Sequence, residues 1–134
     1  AAGLTTYYNR HKFHALMVTD ELGLGRALSL MLCPGDWAEC ALVFPAEPVA
    51  IADGPVELRV TVDRATQQFW YRQGGDWIAV GPALDASIIS DEGGRGEHVS
   101  FTGAFVGMVT FDTTGQGKEA LFDRFAYIPE GAVA

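Results

Sequence analysis

The sequence has no long hydrophobic run and few basic residues, and each shortage excludes a class of protein. No apolar stretch approaches the roughly 20 residues that a membrane-spanning helix needs, and the start has no basic-then-apolar signal pattern. We therefore expect no membrane partner and a cytoplasmic location. Asp and Glu number 17 against 9 Lys and Arg, for a net charge of −8. Because nucleic acids and anionic membranes are bound through Lys and Arg, this balance favours neutral sugars, cations or proteins as partners.

Cysteine is also scarce, with only Cys33 and Cys40 in the chain. The two are close enough in sequence to bridge, but geometry decides that, and we favour two thiols over a disulfide. No other ligands have zinc-site spacing, so we expect neither a metal site nor a cofactor. The chain also lacks a Gly-x-Ser-x-Gly nucleophile motif and a Gly-rich phosphate loop that opens a helix.

Short strand-like segments make up most of the chain, and no helical period is sustained. Residues 56–62 alternate most cleanly, with the four apolar side chains on one face and Glu57, Arg59 and Thr61 on the other. Further strands are predicted at residues 4–9, 12–19, 26–33, 37–44, 67–73 and 77–80, and a single helical turn at 84–90. The turn spacing predicts an all-β fold, an antiparallel two-sheet β-sandwich that occupies residues 1–134 as one domain.

The stretch 101–129 predicts two long closing strands joined by a Gly-rich turn. Its second half alternates, with Leu121, Asp123, Phe125 and Tyr127 on one side. Asp123 is a candidate calcium ligand there, although calcium needs 6–8 oxygens and the other ligands cannot be assigned from the sequence.

Candidate catalytic groups do not assemble into a motif. A glycosidase needs two opposed carboxylates, but the acidic residues are scattered over loops and strand ends: Asp53, Asp63, Asp85, Asp91, Glu92 and Asp112. Solvated loop carboxylates are the favoured interpretation. His11 and His14 bracket Phe13 on one predicted strand and should face opposite sides, so they cannot share a metal. With His98, they are expected to be surface or hydrogen-bonded histidines.

Aromatic side chains offer a second kind of site. A flat ring presents an apolar face to a pyranose, and six aromatics are candidates for a sugar-stacking platform: Tyr7, Tyr8, Trp37, Trp70, Tyr71 and Trp77. Core or interface packing is the favoured alternative. In residues 67–73, Phe69 and Tyr71 share one face and Trp70 takes the other.

Five separated segments resemble the C-terminal sandwich of glycoside hydrolase family 43 β-xylosidases. They follow the family's order along nearly the whole chain: GLTTYYNRHKFHALMVT (3–19), GPVELRVTVD (54–63), FWYRQGGDWIAVGPALDASIISDE (69–92), FTGAFVGMVTFD (101–112) and FDRFAYIP (122–129). DASIISDE and FTGAFVGM are the most specific of these motifs.

The resemblance implies a concanavalin-like jelly roll without its first strands, which would leave sheet edges and apolar faces exposed. In the family, the sandwich packs on a catalytic β-propeller that removes xylose, or in some members arabinofuranose, from oligosaccharide ends. The propeller's acids have no counterpart here, so no catalytic residue is expected. The resemblance implies Phe101 as a substrate-binding residue at the pocket shared with xylo-oligosaccharide. It also implies an accessory role in an oligomer. A free-standing xylan-binding module is the alternative.

Overall fold

The computed structural model describes residues 1–35, 41–89 and 104–129, which form two antiparallel sheets. The larger sheet has five strands in the order β4-β3-β2-β1-β8. Their bounds are β1 Ala2–Asn9, β2 Lys12–Glu21, β3 Gly25–Pro34, β4 Val49–Ala50 and β8 Phe105–Thr110. The smaller sheet has three strands in the order β5-β6-β7, with bounds β5 Glu57–Asp63, β6 Thr66–Arg72 and β7 Ile78–Asp85. The predicted β-sandwich is confirmed.

The core lies between the two sheets and follows from the period-2 alternation of their strands. Its six buried members come from both sheets: Leu16, Leu28, Leu30, Phe69, Val80 and Leu84. Leu58, Val60 and Tyr71 pack against them from the smaller sheet. The predicted facing of residues 56–62 is therefore confirmed for Leu58 and Val60, while Val62 beyond them is 58% exposed.

The outer face of the larger sheet is apolar as well. Ala15, Met17 and Met31 form a second buried cluster there, with Phe13 and Val109 packed against it. The prediction that both faces of the second strand are covered is therefore confirmed. In the described part of the chain, no helix is long and apolar enough to cross a membrane.

Two predicted turns, one Gly-rich and one helical, are present in the structure. Gly74 and Gly75 have φ of 64° and 158°, conformations that glycine adopts readily, and they turn the chain from β6 to β7. The predicted helical turn is a 3₁₀ turn at Ala86–Ile89, after β7, which runs longer than expected. Of residues 37–44, those described contain only an isolated bridge from Val43 to Leu32.

The second closing strand is a wrong prediction. Residues 111–129 contain no strand, although 121–128 alternate as a strand should. A strand needs a neighbour for its backbone N–H and C=O groups, and none of the described strands pairs with this segment. Its large apolar side chains stay in solvent, with Leu121 88% and Tyr127 72% exposed.

Candidate functional sites

An inter-sheet polar cluster, formed by Thr6, His14 and Gln67, joins the two sheets inside the core. Thr6 lies opposite His14 in the β1–β2 register, and Gln67 reaches both from β6. The Thr6 hydroxyl donates to Gln67 Oε1 at 2.8 Å, and His14 Nδ1 lies 2.9 Å from the same oxygen. All three residues are nearly inaccessible to solvent, so these bonds are made in a low-dielectric interior.

The hydrogen bonds determine the protonation state of His14. A carbonyl oxygen only accepts, so Nδ1 carries the proton and donates it. Nε2 is buried and has no hydrogen-bond partner in the described ranges. Burial lowers the pKa of His14 from its ordinary 6.5, while the Gln67 hydrogen bond and the charge of Asp85 oppose this shift. The ring is therefore neutral at pH 7, with a bare Nε2.

A buried lysine lies two residues before this histidine on the same face of β2. Lys12 is 1% exposed, and its ammonium lies 4.1 Å from the ring centroid of Tyr8. Lys12 and His14 thus place two titratable side chains in the buried interior at this end of the sandwich.

We expect acid to destabilise the sandwich through His14. The unfolded chain binds a proton near pH 6.5 and the folded chain only at lower pH. The contribution of neutral His14 to the free energy of unfolding is thus fully present above about pH 6.5. It is lost as the pH falls from there through the lower pKa of the folded state. Urea unfolding of the wild type and of His14→Asn, at pH 7.5, 6.5 and 5.0, measures this loss. The difference in free energy of unfolding between the two proteins should narrow as the pH falls. An unchanged difference would contradict the lowered pKa of His14.

An indole–arginine face, formed by Arg59, Trp70, Arg72 and Trp77, covers the outer side of the smaller sheet. Arg59 and Trp70 are direct neighbours in the β5–β6 register. The Arg59 guanidinium carbon lies 5.4 Å from the Trp70 ring centroid and 4.5 Å from that of Trp77. The Arg72 guanidinium lies 4.5 Å from the Trp77 centroid. Both arginines are close enough to the indoles for cation–π attraction.

Two polar contacts hold this face in place. Arg72 Nε donates to Glu57 Oε2, and this hydrogen bond lowers the pKa of Glu57. The indole N–H of Trp70 donates to the Thr61 hydroxyl at 2.9 Å. Side chains on β5 and β6 are thus fixed relative to one another on an exposed surface.

The predicted aromatic platform is divided between different places. Trp70 and Trp77 share the indole–arginine face, whereas Tyr8 is buried and Tyr71 packs against the core. Tyr7 stacks on Phe13 on the larger sheet, with ring centroids 6.0 Å apart. Trp37 lies outside the described residues. Phe69 and Tyr71 do face the core together, as predicted, with Trp70 on the other side.

Two of the candidate loop carboxylates, Asp85 and Asp112, accept hydrogen bonds within turns. Asp85 accepts from the backbone N–H and hydroxyl of Ser87, and these bonds lower its pKa. Asp112 accepts from backbone groups of Thr114, Gly115 and Gly117, which lower its pKa to about 2, with the Gly117 bond the largest cause. Asp53, Asp63 and Asp123 are exposed, and Asp91 and Glu92 lie outside the described residues. Over the described ranges, no three acidic, His or Cys side chains converge on a metal site.

The remaining predicted residues are the histidines, the cysteines and Phe101. His11 lies in the turn before β2, so its predicted position on the strand was wrong, while His14 is the hydrogen-bonded histidine expected. Cys33 is buried. Cys40, His98 and Phe101 lie outside the described residues, so the thiol pairing and the pocket role of Phe101 stay predictions.

Sequence reasoning missed the roles of Gln67 and Arg59. Gln67 follows a turn and looks like a solvent-facing residue, and Arg59 stands on the polar side of an alternating strand. The register of the β5–β6 hairpin was the available signal, because it places Arg59 beside Trp70.

A family model described as the β-xylosidase C-terminal concanavalin A-like domain matches residues 1–128. The chain belongs to this family. It is 43% identical over 132 residues to xylosidase/arabinosidase 43B of Humicola insolens, a match that covers 96% of the chain. It is 36% identical over 132 residues to a β-xylosidase of Bacillus subtilis, with 95% of the chain covered.

A solved structure gives the same result for the fold. The crystal structure of xylan β-1,4-xylosidase from Bacillus halodurans superposes with a TM-score of 0.78 at 31% identity, over 87% of this chain and 22% of that one. The chain spans 24% of the length of both curated relatives. It therefore corresponds to their C-terminal accessory domain.

Proposed function

We propose that this domain supports the catalytic domain of a β-xylosidase and breaks no glycosidic bond itself. The observation that carries the proposal is the match of residues 1–128 to a domain that makes up about a quarter of xylosidases. Two of the candidate carboxylates support it as well, because Asp85 and Asp112 accept hydrogen bonds within turns. The proposed substrates of the assembled enzyme are xylo-oligosaccharides, with arabinofuranosides as an alternative.

The proposed docking surface for the rest of the enzyme is the apolar margin, defined as β8 and residues 121–128. β8 is an edge strand of the larger sheet. Phe105 is 61% and Met108 50% exposed, and the side chains of residues 121–128 are exposed as well. Apolar surface of this extent is uncommon on isolated domains and is typical of interfaces. We propose that the catalytic domain of the same enzyme binds this surface. We also propose that several copies of the enzyme assemble into an oligomer.

Removal of the domain tests this role. The complete enzyme is compared with its catalytic part alone, and the isolated domain is then added back to that part. We expect the catalytic part to lose thermal stability and aryl-xyloside hydrolysis, and the added domain to restore both. Full activity and an unchanged melting temperature without the domain would contradict the proposal.

Phe101→Ala tests the proposed contribution to the sugar pocket. A pocket-rim aromatic contributes binding through its ring face, so we expect the variant in the complete enzyme to lose activity, mainly through a higher KM, at an unchanged melting temperature. Leu22→Ala, in the turn between β2 and β3 where the side chain is fully exposed, is the control and should leave KM unchanged. Wild-type kinetics for Phe101→Ala, or a large loss of stability, would place that ring elsewhere.

A free-standing xylan-binding module is less well supported. Such modules stack sugars on open aromatic faces, whereas guanidinium groups lie against both indoles of the outer sheet face. Retardation of the isolated domain in a neutral xylan gel, with no effect on a truncated catalytic partner, would favour the module.

A further inference from the structure

Arg59 is a fixed cation without a counter-charge in the described part of the chain. The ion pair recorded there joins Arg72 and Glu57, so Glu57 is already neutralised by the neighbouring arginine. Arg59 instead lies against Trp70 and Trp77. It is solvent-exposed and belongs to a chain of net charge −8.

Stacking against indoles prepares a guanidinium to bind an anion. The ring contacts restrict the rotamers of Arg59, and no carboxylate in the described part of the chain pairs with its N–H groups. A planar guanidinium with free N–H groups can bind a carboxylate in bidentate geometry. Thr61 holds the Trp70 indole, and Arg72 lies against that of Trp77. The Arg59 side chain has therefore already lost most of its conformational entropy before a ligand binds.

We propose that the indole–arginine face binds an acidic sugar, with Arg59 pairing the carboxylate of a uronic acid carried as a branch on a xylan chain. The inference rests on the proposed function, since a xylan-degrading enzyme would meet such branches. Charge complementarity favours the carboxylate, and the half-buried Trp70 and Trp77 contact the apolar C–H groups of the sugar ring. An inorganic anion or an acidic peptide offers the charge without that ring.

Titration of the purified protein tests the site, with tryptophan fluorescence and calorimetry as readouts. The probes are xylotriose with one glucuronic acid branch, neutral xylotetraose, inorganic phosphate and a glutamate-rich peptide. At low ionic strength the branched acidic sugar should bind at least roughly tenfold more tightly than the neutral one, because the contact is a charge-assisted bidentate pair. The preference should shrink as salt is added.

Three variants test whether Arg59 is the residue that binds the carboxylate. Arg59→Gln should remove the preference for the acidic sugar, and Arg59→Lys should keep part of it, because lysine retains the charge but not the planar fork. Arg64→Gln is the matched control, since Arg64 is an exposed arginine in the turn of the same hairpin. It should bind like the wild type.

Each other outcome overturns the inference. Equal binding of neutral and acidic sugars would indicate a stacking platform, and equal binding of phosphate would indicate a general anion site. Tighter binding of the peptide would indicate a protein partner, and no binding would leave the face structural. The domain-removal test uses neither an acidic ligand nor Arg59, so failure here and failure of the accessory role are separable.

Discussion

Phe69→Ala is expected to destabilise the sandwich by about 3–5 kcal/mol, the cost typical of emptying a fully buried aromatic site. Phe69 is completely inaccessible to solvent and lies between Val60 on β5 and Val80 on β7. It packs in the cluster that joins the two sheets. Because small domains are stable by only about 5–15 kcal/mol, the variant should lose a large part of its stability. Urea unfolding followed by far-ultraviolet circular dichroism measures the change.

Two companion variants separate burial from general damage to the hairpin. Phe69→Leu retains most of the apolar volume and should cost clearly less than alanine. Val62→Ala removes methyl groups from a side chain that is 58% exposed on the adjacent strand, and should change stability by less than about 0.5–1 kcal/mol. Equal losses for Phe69→Ala and Val62→Ala would refute the position assigned to the core.

Gly3→Ala is the second large effect, with an expected loss of about 3 kcal/mol from overpacking. Gly3 lies on β1 between Met17 of β2 and Val109 of β8. A Cβ atom at this position would overlap the carbonyl oxygen of Leu16 and lie 2.9 Å from the Cα of Met17. Both are backbone atoms, so the strands themselves must separate. Thermal unfolding of the variant measures the cost.

Gly107→Ala provides the matched control on the neighbouring strand. Gly107 is paired with Thr5 across β1 and β8, and a Cβ atom added there meets nothing within 4 Å. The substitution should be neutral or stabilise by up to about 1 kcal/mol, because alanine has less conformational freedom to lose on folding. A loss as large as that of Gly3→Ala would mean that strand propensity, and not the close approach at Gly3, explains both results.

Alternation predicted strands well where each strand finds a partner in the described chain. Residues 56–62 and 67–73 form β5 and β6 nearly as predicted, because they are sequential neighbours joined by a short turn. Residues 121–128 alternate equally well and form no strand. Periodicity reports which side chains share a face, but it cannot supply the neighbouring backbone that completes the hydrogen bonds.

The candidate sites were less predictable than the strands. The absence of a catalytic motif and the opposite facing of Phe69 and Trp70 could be read from residue types and spacing. The inter-sheet polar cluster could not be predicted in this way, because Gln67 lies 61 positions from Thr6 and 53 from His14. Arg59 likewise became notable only when its guanidinium was found against two indoles and away from any carboxylate of the described chain.

Residue order alone determined the all-β class, the faces of the regular strands and, through the motifs DASIISDE and FTGAFVGM, the family. Those properties depend on local alternation, turn chemistry and short runs of adjacent residues. Only the tertiary structure decided which strands find partners, which histidine is enclosed and which arginine is left with aromatic neighbours. The reason is physical: sheet pairing and burial are set by contacts between distant segments, and no local pattern encodes them.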